Sequence, residues 1–113
     1  MLDFLRAAAA YAIKKEDRRT YFVGAFGIRA DGTLVKATNS PTAERNPKVH
    51  AESKLVRKLG YGAPVVFVSR YSWSTGGLAM AKPCPHCESL LRSYRVQQVI
   101  YSTGHDTFEK LSL

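Results

Sequence analysis

Four residues in this sequence have side chains and spacings suited to metal binding and proton transfer. Cys84 and Cys87 are the only cysteines among its 113 residues, and they lie in the segment Pro83-Cys84-Pro85-His86-Cys87. His50 and Glu52 are two positions apart, earlier in the chain. A catalytic zinc usually has three protein ligands and keeps a fourth position open, so we predict that Cys84, Cys87 and His50 bind zinc. Glu52 is then the predicted proton-transfer group beside the metal.

Each half of this set also has other interpretations. A C-x-x-C segment can be a redox site or a pair of structural cysteines, and a histidine at a helix start can simply be hydrogen-bonded. A fourth ligand from His86 or His105 would close the zinc site and make it structural rather than catalytic. We expect His86 either at the surface or in contact with a zinc ligand without binding the metal itself. We expect His105 in a structural or exposed position.

The cysteines are predicted to lie at the start of a helix that runs to about residue 94. Pro85 suits the first turn of such a helix, because its missing N–H has no helical partner at that position. Cys84 and Cys87 are three residues apart, so their sulfur atoms face the same side. The dipole at a helix start favours the thiolate form of a cysteine, which is the form that binds metal.

His50 and Glu52 are predicted to lie at the start of another helix, over residues 49–58, for which Gly60 is a stop signal. If the two helix starts meet at one cavity, the metal gains its third ligand. Glu52 is not a same-face neighbour of His50 on a helix, so it need not be a ligand itself.

Hydrophobic periodicity and turn residues predict the remaining elements. A further helix is predicted over 3–15, and strands are predicted over 21–29, 33–38, 64–69 and 96–102. Asp31-Gly32 is a hairpin turn signal between the first two strands, and the continuous apolar run at 64–69 indicates a central strand. Residues 70–82 are predicted to be a long connection, and residues 104–113 at most one turn or a short helix. The order predicts one domain over residues 1–113 with an α/β fold, a three-layer α/β/α sandwich on a mixed sheet.

The composition is that of a soluble globular protein, with 45% hydrophobic and 23% charged residues. No apolar run is long enough to span a bilayer, and no signal peptide is recognisable at the start. We therefore expect a cytoplasmic protein without membrane contact, whose cysteines serve a metal or redox site rather than a disulfide framework. The net charge of +8 permits a nucleic-acid binder, a binder of phosphorylated small molecules, or merely a basic surface.

The combination of His50-Ala51-Glu52 with Pro83-Cys84-Pro85-His86-Cys87 resembles the signature of the cytidine deaminase superfamily. The predicted element order is similar along nearly the whole chain. The resemblance implies Zn²⁺ as cofactor, with His50, Cys84 and Cys87 as its ligands, and Glu52 as general acid and base. A histidine as first ligand is similar to the deoxycytidylate, tRNA and nucleic-acid-editing branches. The short C-terminal end implies a minimal, truncated form of the fold.

Substrate-binding residues follow from the same resemblance. Asn39 precedes His50 by 11 positions, and tRNA adenosine deaminases are similar there, with an asparagine that binds the sugar. Trp73 lies in a Ser-Trp-Ser segment similar to that of the editing deaminases, although it stands ten residues before Pro83. The residues that we predict to bind substrate are Asn39, Ala51, Trp73, Lys82 and Pro83. Four cations are predicted in loops that flank the metal, namely Arg45, Lys48, Arg70 and Lys82. One or more of them could bind phosphate, and the alternative is ordinary solvated loop charge.

The resemblance implies hydrolytic deamination of cytosine to uracil in a free nucleotide or nucleoside, with deoxycytidylate as the leading substrate. Two alternatives stay open. One is a deaminase that acts on single-stranded DNA or RNA, which the positive charge supports. The other is a zinc-stabilised binding module without turnover. A minimal domain with an exposed sheet edge also predicts a homo-oligomer, in which a partner copy covers that edge.

Overall fold

The structure is a computed structural model that describes residues 2–12, 21–38, 51–72 and 76–113. Three helices and six strands lie in these ranges. The helices are α1 (Leu2–Ala12), α2 (Ala51–Leu59) and α3 (Pro85–Ser93). The strands are β1 (Tyr21–Ile28), β2 (Leu34–Thr38), β3 (Val65–Ser72), β4 (Gly77–Ala79), β5 (Gln98–Ser102) and β6 (Phe108–Ser112). The predicted α/β class is confirmed.

The strands form one mixed sheet in the order β2-β1-β3-β5-β6, and β4 pairs with the end of β3. Strand β3 runs antiparallel to β1 and parallel to β5. Because a parallel pair needs a crossover connection, the chain passes through α3 between β3 and β5. The apolar run that predicted a central strand is β3, at the middle of the sheet. Strands β2 and β6 end the path, and the predicted homo-oligomer stays a prediction.

The helices cover the two faces of the sheet unequally. Successive side chains of a strand point to opposite faces, and along β3 the side chains of Val66 and Val68 pack with α2 and α3. Phe67 points the other way and packs with Leu5 of α1. We call the side covered by α2 and α3 the site face, and the side covered by α1 the α1 face. The predicted three-layer sandwich is therefore confirmed.

Two glycines end elements where the sequence predicts it. Gly32 has a φ of 92° in the turn between β1 and β2, and its N–H donates to the Arg29 carbonyl at 2.9 Å. Gly60 has a φ of 73° directly after α2, a backbone conformation that L side chains adopt at a cost. The predicted hairpin and helix stop are both confirmed.

Gly27 of β1 fixes how closely α2 packs on the sheet. A Cβ atom there would lie 2.7 Å from Cδ1 of Leu59 and 3.1 Å from Cδ2 of Leu55. The structure thus places two leucine side chains of α2 against this glycine. This close approach holds α2, and with it the first turn that carries Glu52, against the site face.

Two predicted loops were wrong in part. Residues 70–82 are not one long connection, because β3 continues to Ser72 and pairs with Gly77–Ala79 of β4. The segment 104–113 contains the strand β6, which pairs antiparallel with β5. The hydroxyl of Tyr101 donates to Oε2 of Glu109 across this pair at 2.8 Å, and that hydrogen bond raises the pKa of Tyr101. Strand pairing therefore overrides the weak local pattern at both places.

Other predicted boundaries agree to within a few residues where the structure describes them. The predicted ends of the first helix (13–15) and the first residues of the second (49 and 50) lie outside the described residues, as does the predicted loop at 39–48. In the described ranges, no helix is long and apolar enough to cross a membrane.

Candidate active site

The first turn of α2 contributes three buried residues to the site face. Ala51 is fully buried, Glu52 has a relative exposure of 6%, and Ser53 is also buried. A carboxylate in the first turn of a helix is favourably placed, because the free N–H groups there carry partial positive charge. Its burial in this first turn places the carboxylate inside the protein, next to the buried Cys87 at the start of α3.

The first turn of α3 places the two cysteines as the sequence predicts. Cys84 is the residue that caps the helix start, with extended backbone at φ −67° and ψ 162°, and Pro85 follows as the first helical residue. The carbonyl of Cys84 accepts the first helical hydrogen bond, from the Glu88 N–H at 2.8 Å. Cys84 is half-buried and Cys87 is buried, and both are free thiols.

The two helix starts meet at Cys87. The hydroxyl oxygen of Ser53 lies 3.9 Å from the Cys87 sulfur, inside the protein. Burial raises the pKa of the Cys87 thiol strongly, and the negative charge of Glu52 and the neighbouring Cys84 thiol raise it further, while Ser53 lowers it. The carboxylate of Glu52 is thus close enough to Cys87 for their charges to interact.

The remaining predicted substrate residues fall into two groups. Lys82 is exposed, and Pro83 is buried next to the cysteine segment. Asn39, Trp73, Arg45, Lys48 and the predicted ligand His50 lie outside the described residues. Their assigned roles stay predictions.

We predicted Arg70 in a loop, and this prediction was wrong. Arg70 lies in β3, where it is paired with Val23 of β1 and Ala79 of β4. The backbone N–H of Arg70 donates to the hydroxyl of Ser102 at 3.3 Å. Because Arg70 follows Val68 by two positions, its side chain belongs to the site face, and its Nε atom is buried.

Sequence comparison identifies the family. Residues 2–103 match the family model described as the cytidine and deoxycytidylate deaminase zinc-binding region. The chain belongs to this family. No curated protein sequence matches the chain.

Solved structures of cytidine deaminases share the fold of this family member. The chain is similar to the cytidine deaminase of Burkholderia pseudomallei, with a TM-score of 0.68 and 15% identity over 97% of this chain and 87% of that one. It is also similar to the Mycobacterium leprae cytidine deaminase, with a TM-score of 0.57 and 21% identity over 96% and 87%. For the Mycobacterium tuberculosis cytidine deaminase the TM-score is 0.56, with 21% identity over 89% and 83%. At these identities the likeness concerns the fold.

The thiols of this deaminase-family chain suit the metal that the family description names. A buried thiol whose pKa is raised stays protonated unless a cation compensates the thiolate charge. Two sulfur atoms from one helical turn are a donor pair that zinc prefers. Among the described residues, no group of three or more histidine, cysteine or acidic side chains is arranged to hold a metal. The described part of the chain therefore supplies two sulfur donors, and His50 is the expected third.

Ser53 is the site residue that sequence reasoning missed. Its contact with Cys87 joins positions 34 residues apart, so it depends on how α2 and α3 pack. The available signal was its place directly after His50-Ala51-Glu52, in the same helical turn as the predicted proton-transfer group. A small hydroxyl there lies within hydrogen-bonding reach of the Cys87 sulfur.

Proposed function

We propose that this family member is a zinc-dependent hydrolase that converts cytosine to uracil in a free nucleotide or nucleoside and releases ammonia. The observation that carries the proposal is the buried carboxylate of Glu52 beside the thiol of Cys87, at the junction of two helix starts. In a chain of the deaminase family, this pairs an acid–base group with two metal donors. Deoxycytidylate and cytidine are the substrates that the family description suggests.

The residues that would hold the metal are His50, Cys84 and Cys87. Zinc, when bound there, would act as a Lewis acid that lowers the pKa of water. Hydroxide would then be available near neutral pH to attack the nucleobase. The first turn of α3 would hold the two sulfur atoms for the metal, and the Ser53 hydroxyl, 3.9 Å from the Cys87 sulfur, would help to fix that atom.

Glu52 is the proposed proton carrier in this reaction. Its carboxylate takes a proton from the attacking water and delivers it to N3 of cytosine, while the water oxygen bonds to C4. The second proton of that water passes through the same carboxylate to the amino group on C4. The C4–N bond then breaks, ammonia leaves, and C4 keeps the oxygen as a carbonyl. Burial of Glu52 excludes bulk water that would otherwise compete for these protons.

The proposed substrate contacts surround this centre. Ala51 and Pro83 are buried next to the acid and the cysteines, and Lys82 is exposed beside Pro83. We assign Ala51 and Pro83 to the wall around the base and Lys82 to a phosphate. Asn39 and Trp73 are assigned to the sugar and to stacking on the base, on the sequence resemblance alone.

Replacement of Glu52 tests the proposed mechanism. We expect Glu52→Ala to keep one zinc per chain but to lose at least about 10³-fold in turnover, since it removes every proposed proton transfer. Glu88→Ala is the matched control, because it removes an acid of the neighbouring helix start whose partner is Arg92 at 3.9 Å. Ammonia release and metal content, measured on both variants, give the readout. Unchanged turnover in Glu52→Ala, or loss of its zinc, would contradict the assigned role.

The substrate class is tested on the unmodified protein. Mass spectrometry of products, after incubation with cytosine and adenine nucleosides, nucleotides and oligonucleotides, identifies the base and its carrier. A monophosphate substrate predicts a shallow dependence of KM on salt, whereas a polynucleotide substrate predicts a steep one. Bound zinc without ammonia release from any of these compounds would favour a zinc-stabilised binding module.

A further inference from the structure

A pair of stacked tyrosines, the exposed Tyr61 and the half-buried Tyr94, lies at the end of the sheet opposite the candidate active site. Tyr61 follows α2 and Tyr94 follows α3, so both lie beyond the C-terminal ends of the helices whose starts form the site. Their ring centroids are 5.0 Å apart and the ring planes differ by 15°. Since α2 has nine residues, the pair is separated from the site by roughly the 13 Å length of that helix.

The backbone around Tyr61 is shaped to hold this ring in place. Gly60 and Gly62 on either side have φ values of 73° and 80°, which glycine adopts without strain. The N–H of Gly62 donates to the carbonyl of Tyr94 at 3.0 Å and ties the two loops together. Tyr61 is nevertheless 69% exposed. One ring face rests on Tyr94, and the opposite face is open to solvent.

Arg95, next to Tyr94, holds a backbone conformation that suits glycine better. Its φ is 58°, and it is the non-glycine residue with positive φ in the described part of the chain. It ends α3 in the position where helices usually have glycine. Its own N–H bonds to the Arg92 carbonyl at 3.0 Å. The side chain is exposed and makes no ion pair with any described residue. Arg95 therefore combines a strained backbone with an exposed cation that forms no ion pair with a described residue.

The chain around this surface is positively charged. Residues 53–65 and 89–98, which contain both loops, include five lysines or arginines and no acid. Some of these cations have local partners, since Arg92 lies 3.9 Å from Glu88 and the Lys58 ammonium donates to the Lys36 carbonyl. Among the cations of these two ranges, Arg95 is the one whose side chain has neither an ion-pair partner nor a hydrogen-bond partner among the described residues.

We propose that Tyr61, Tyr94 and Arg95, here called the aromatic platform, bind single-stranded nucleic acid. Tyr61 offers an open ring face on which a base stacks, and Arg95 offers a cation for the adjoining phosphate. An open aromatic face with a basic surround, in a chain of net charge +8, complements a strand of bases and phosphates. The platform is remote from Glu52, so it would hold a polynucleotide whether or not that polynucleotide is deaminated.

Binding of a fluorescein-labelled 12-residue oligothymidylate, followed by anisotropy, tests the platform. We expect Tyr61→Ala to weaken binding about 5- to 100-fold, as loss of one stacked base does. Arg95→Gly should weaken binding and reduce the slope of log affinity against log salt by about 0.7, the value for one phosphate contact on a single strand. The same Arg95→Gly change should raise the Tm by about 2–4 °C, because it removes the left-handed strain.

Matched controls separate this surface from general charge and general aromatic content. Lys110→Gln removes an exposed cation from β6, and Tyr11→Ala removes a half-exposed ring from the α1 face. Both should leave oligonucleotide affinity within about twofold, because neither residue belongs to the platform. Glu52→Ala should also bind normally, so failure of the platform and failure of the proposed deamination are distinguishable. Equal losses in the controls and the platform variants would overturn the proposal, as would absent binding or a change of oligomeric state in Tyr61→Ala.

Discussion

The two faces of the sheet bury different chemistry. On the site face, a carboxylate, a hydroxyl and a thiol are buried together at the junction of α2 and α3, through Glu52, Ser53 and Cys87. On the α1 face, packing is largely apolar, and Phe4 stacks on Phe67 with centroids 4.8 Å apart. The buried hydroxyl of Ser69 on that face donates to the Leu5 carbonyl at 2.6 Å, which ties it to the backbone of α1.

This difference concerns the buried polar groups, since apolar side chains pack on both faces of the sheet. A polar group buried among like charges costs free energy, and the raised pKa of Cys87 reflects that cost on the site face. Apolar side chains such as Leu5 and Phe67 on the α1 face are free of it and offset it. Substitutions of the buried polar residues on the site face should therefore change metal binding and turnover, whereas those of buried apolar residues on the α1 face should change the free energy of unfolding alone.

The largest effect is expected from Cys87→Ala on the site face. We expect the apparent zinc affinity to fall by more than about 100-fold, because replacing a residue that only hydrogen-bonds to a metal ligand already costs about 10- to 100-fold. Turnover should fall with the zinc affinity. His86→Ala is the control, since His86 lies in the same segment but is exposed. Competition with a chromogenic chelator measures both. Retention of tight zinc by Cys87→Ala would remove this cysteine from the ligand set and weaken the contrast between the faces.

The next effect is expected on the α1 face, from Leu5→Ala. Leu5 is fully buried, so its truncation should lower the free energy of unfolding by about 2–5 kcal/mol. Turnover per folded molecule should not change. Urea titration measures the free energy of unfolding of this variant and of its control, Leu34→Ala. Because Leu34 is 42% exposed, its truncation should lower that free energy much less. A loss of specific activity in folded Leu5→Ala would show that the two faces are not separable.

The smallest effect is expected from Ser53→Ala. Loss of its contact with the Cys87 sulfur should weaken zinc affinity about 10- to 100-fold, the usual effect of removing a partner of a metal ligand. Ser89→Ala, at an exposed serine of α3, serves as control. The free energy of unfolding of the metal-free protein should stay within about 1 kcal/mol, because a hydroxyl–sulfur contact of 3.9 Å is weak. If zinc affinity is unchanged, Ser53 only fills space.

The sequence predicts the long elements because their local patterns and their tertiary roles agree. The apolar run at 64–69 becomes the central strand β3, and Asp31-Gly32 and Gly60 end elements through their own backbone preferences. Strand β6 escapes prediction because Phe108 packs towards the α1 face while Leu111 packs towards the site face. Their spacing of three positions matches a helix as well as a strand, and only pairing with β5 decides between them.

The site shows the same limit. Cys84, Cys87 and Glu52 are recognisable because each belongs to a short motif, and their helical turns follow from proline and spacing. The role of Ser53 arises from contact between two helices, and the strand position of Arg70 arises from pairing with β4. Both depend on long-range packing, which local patterns do not contain.

The placement of both sulfur donors in one short segment also affects the unfolded chain. Cys84 and Cys87 stay within three residues of each other even without any fold, so denatured molecules can still capture a metal ion through this pair. Zinc can then raise the folding equilibrium constant at most by the ratio of its affinity for the folded state to its affinity for the unfolded state. With zinc bound as proposed, the folded state gains its advantage from a third donor that is distant in sequence, the proposed ligand His50. Thermal protection by added zinc should therefore saturate at a limit set by that ratio.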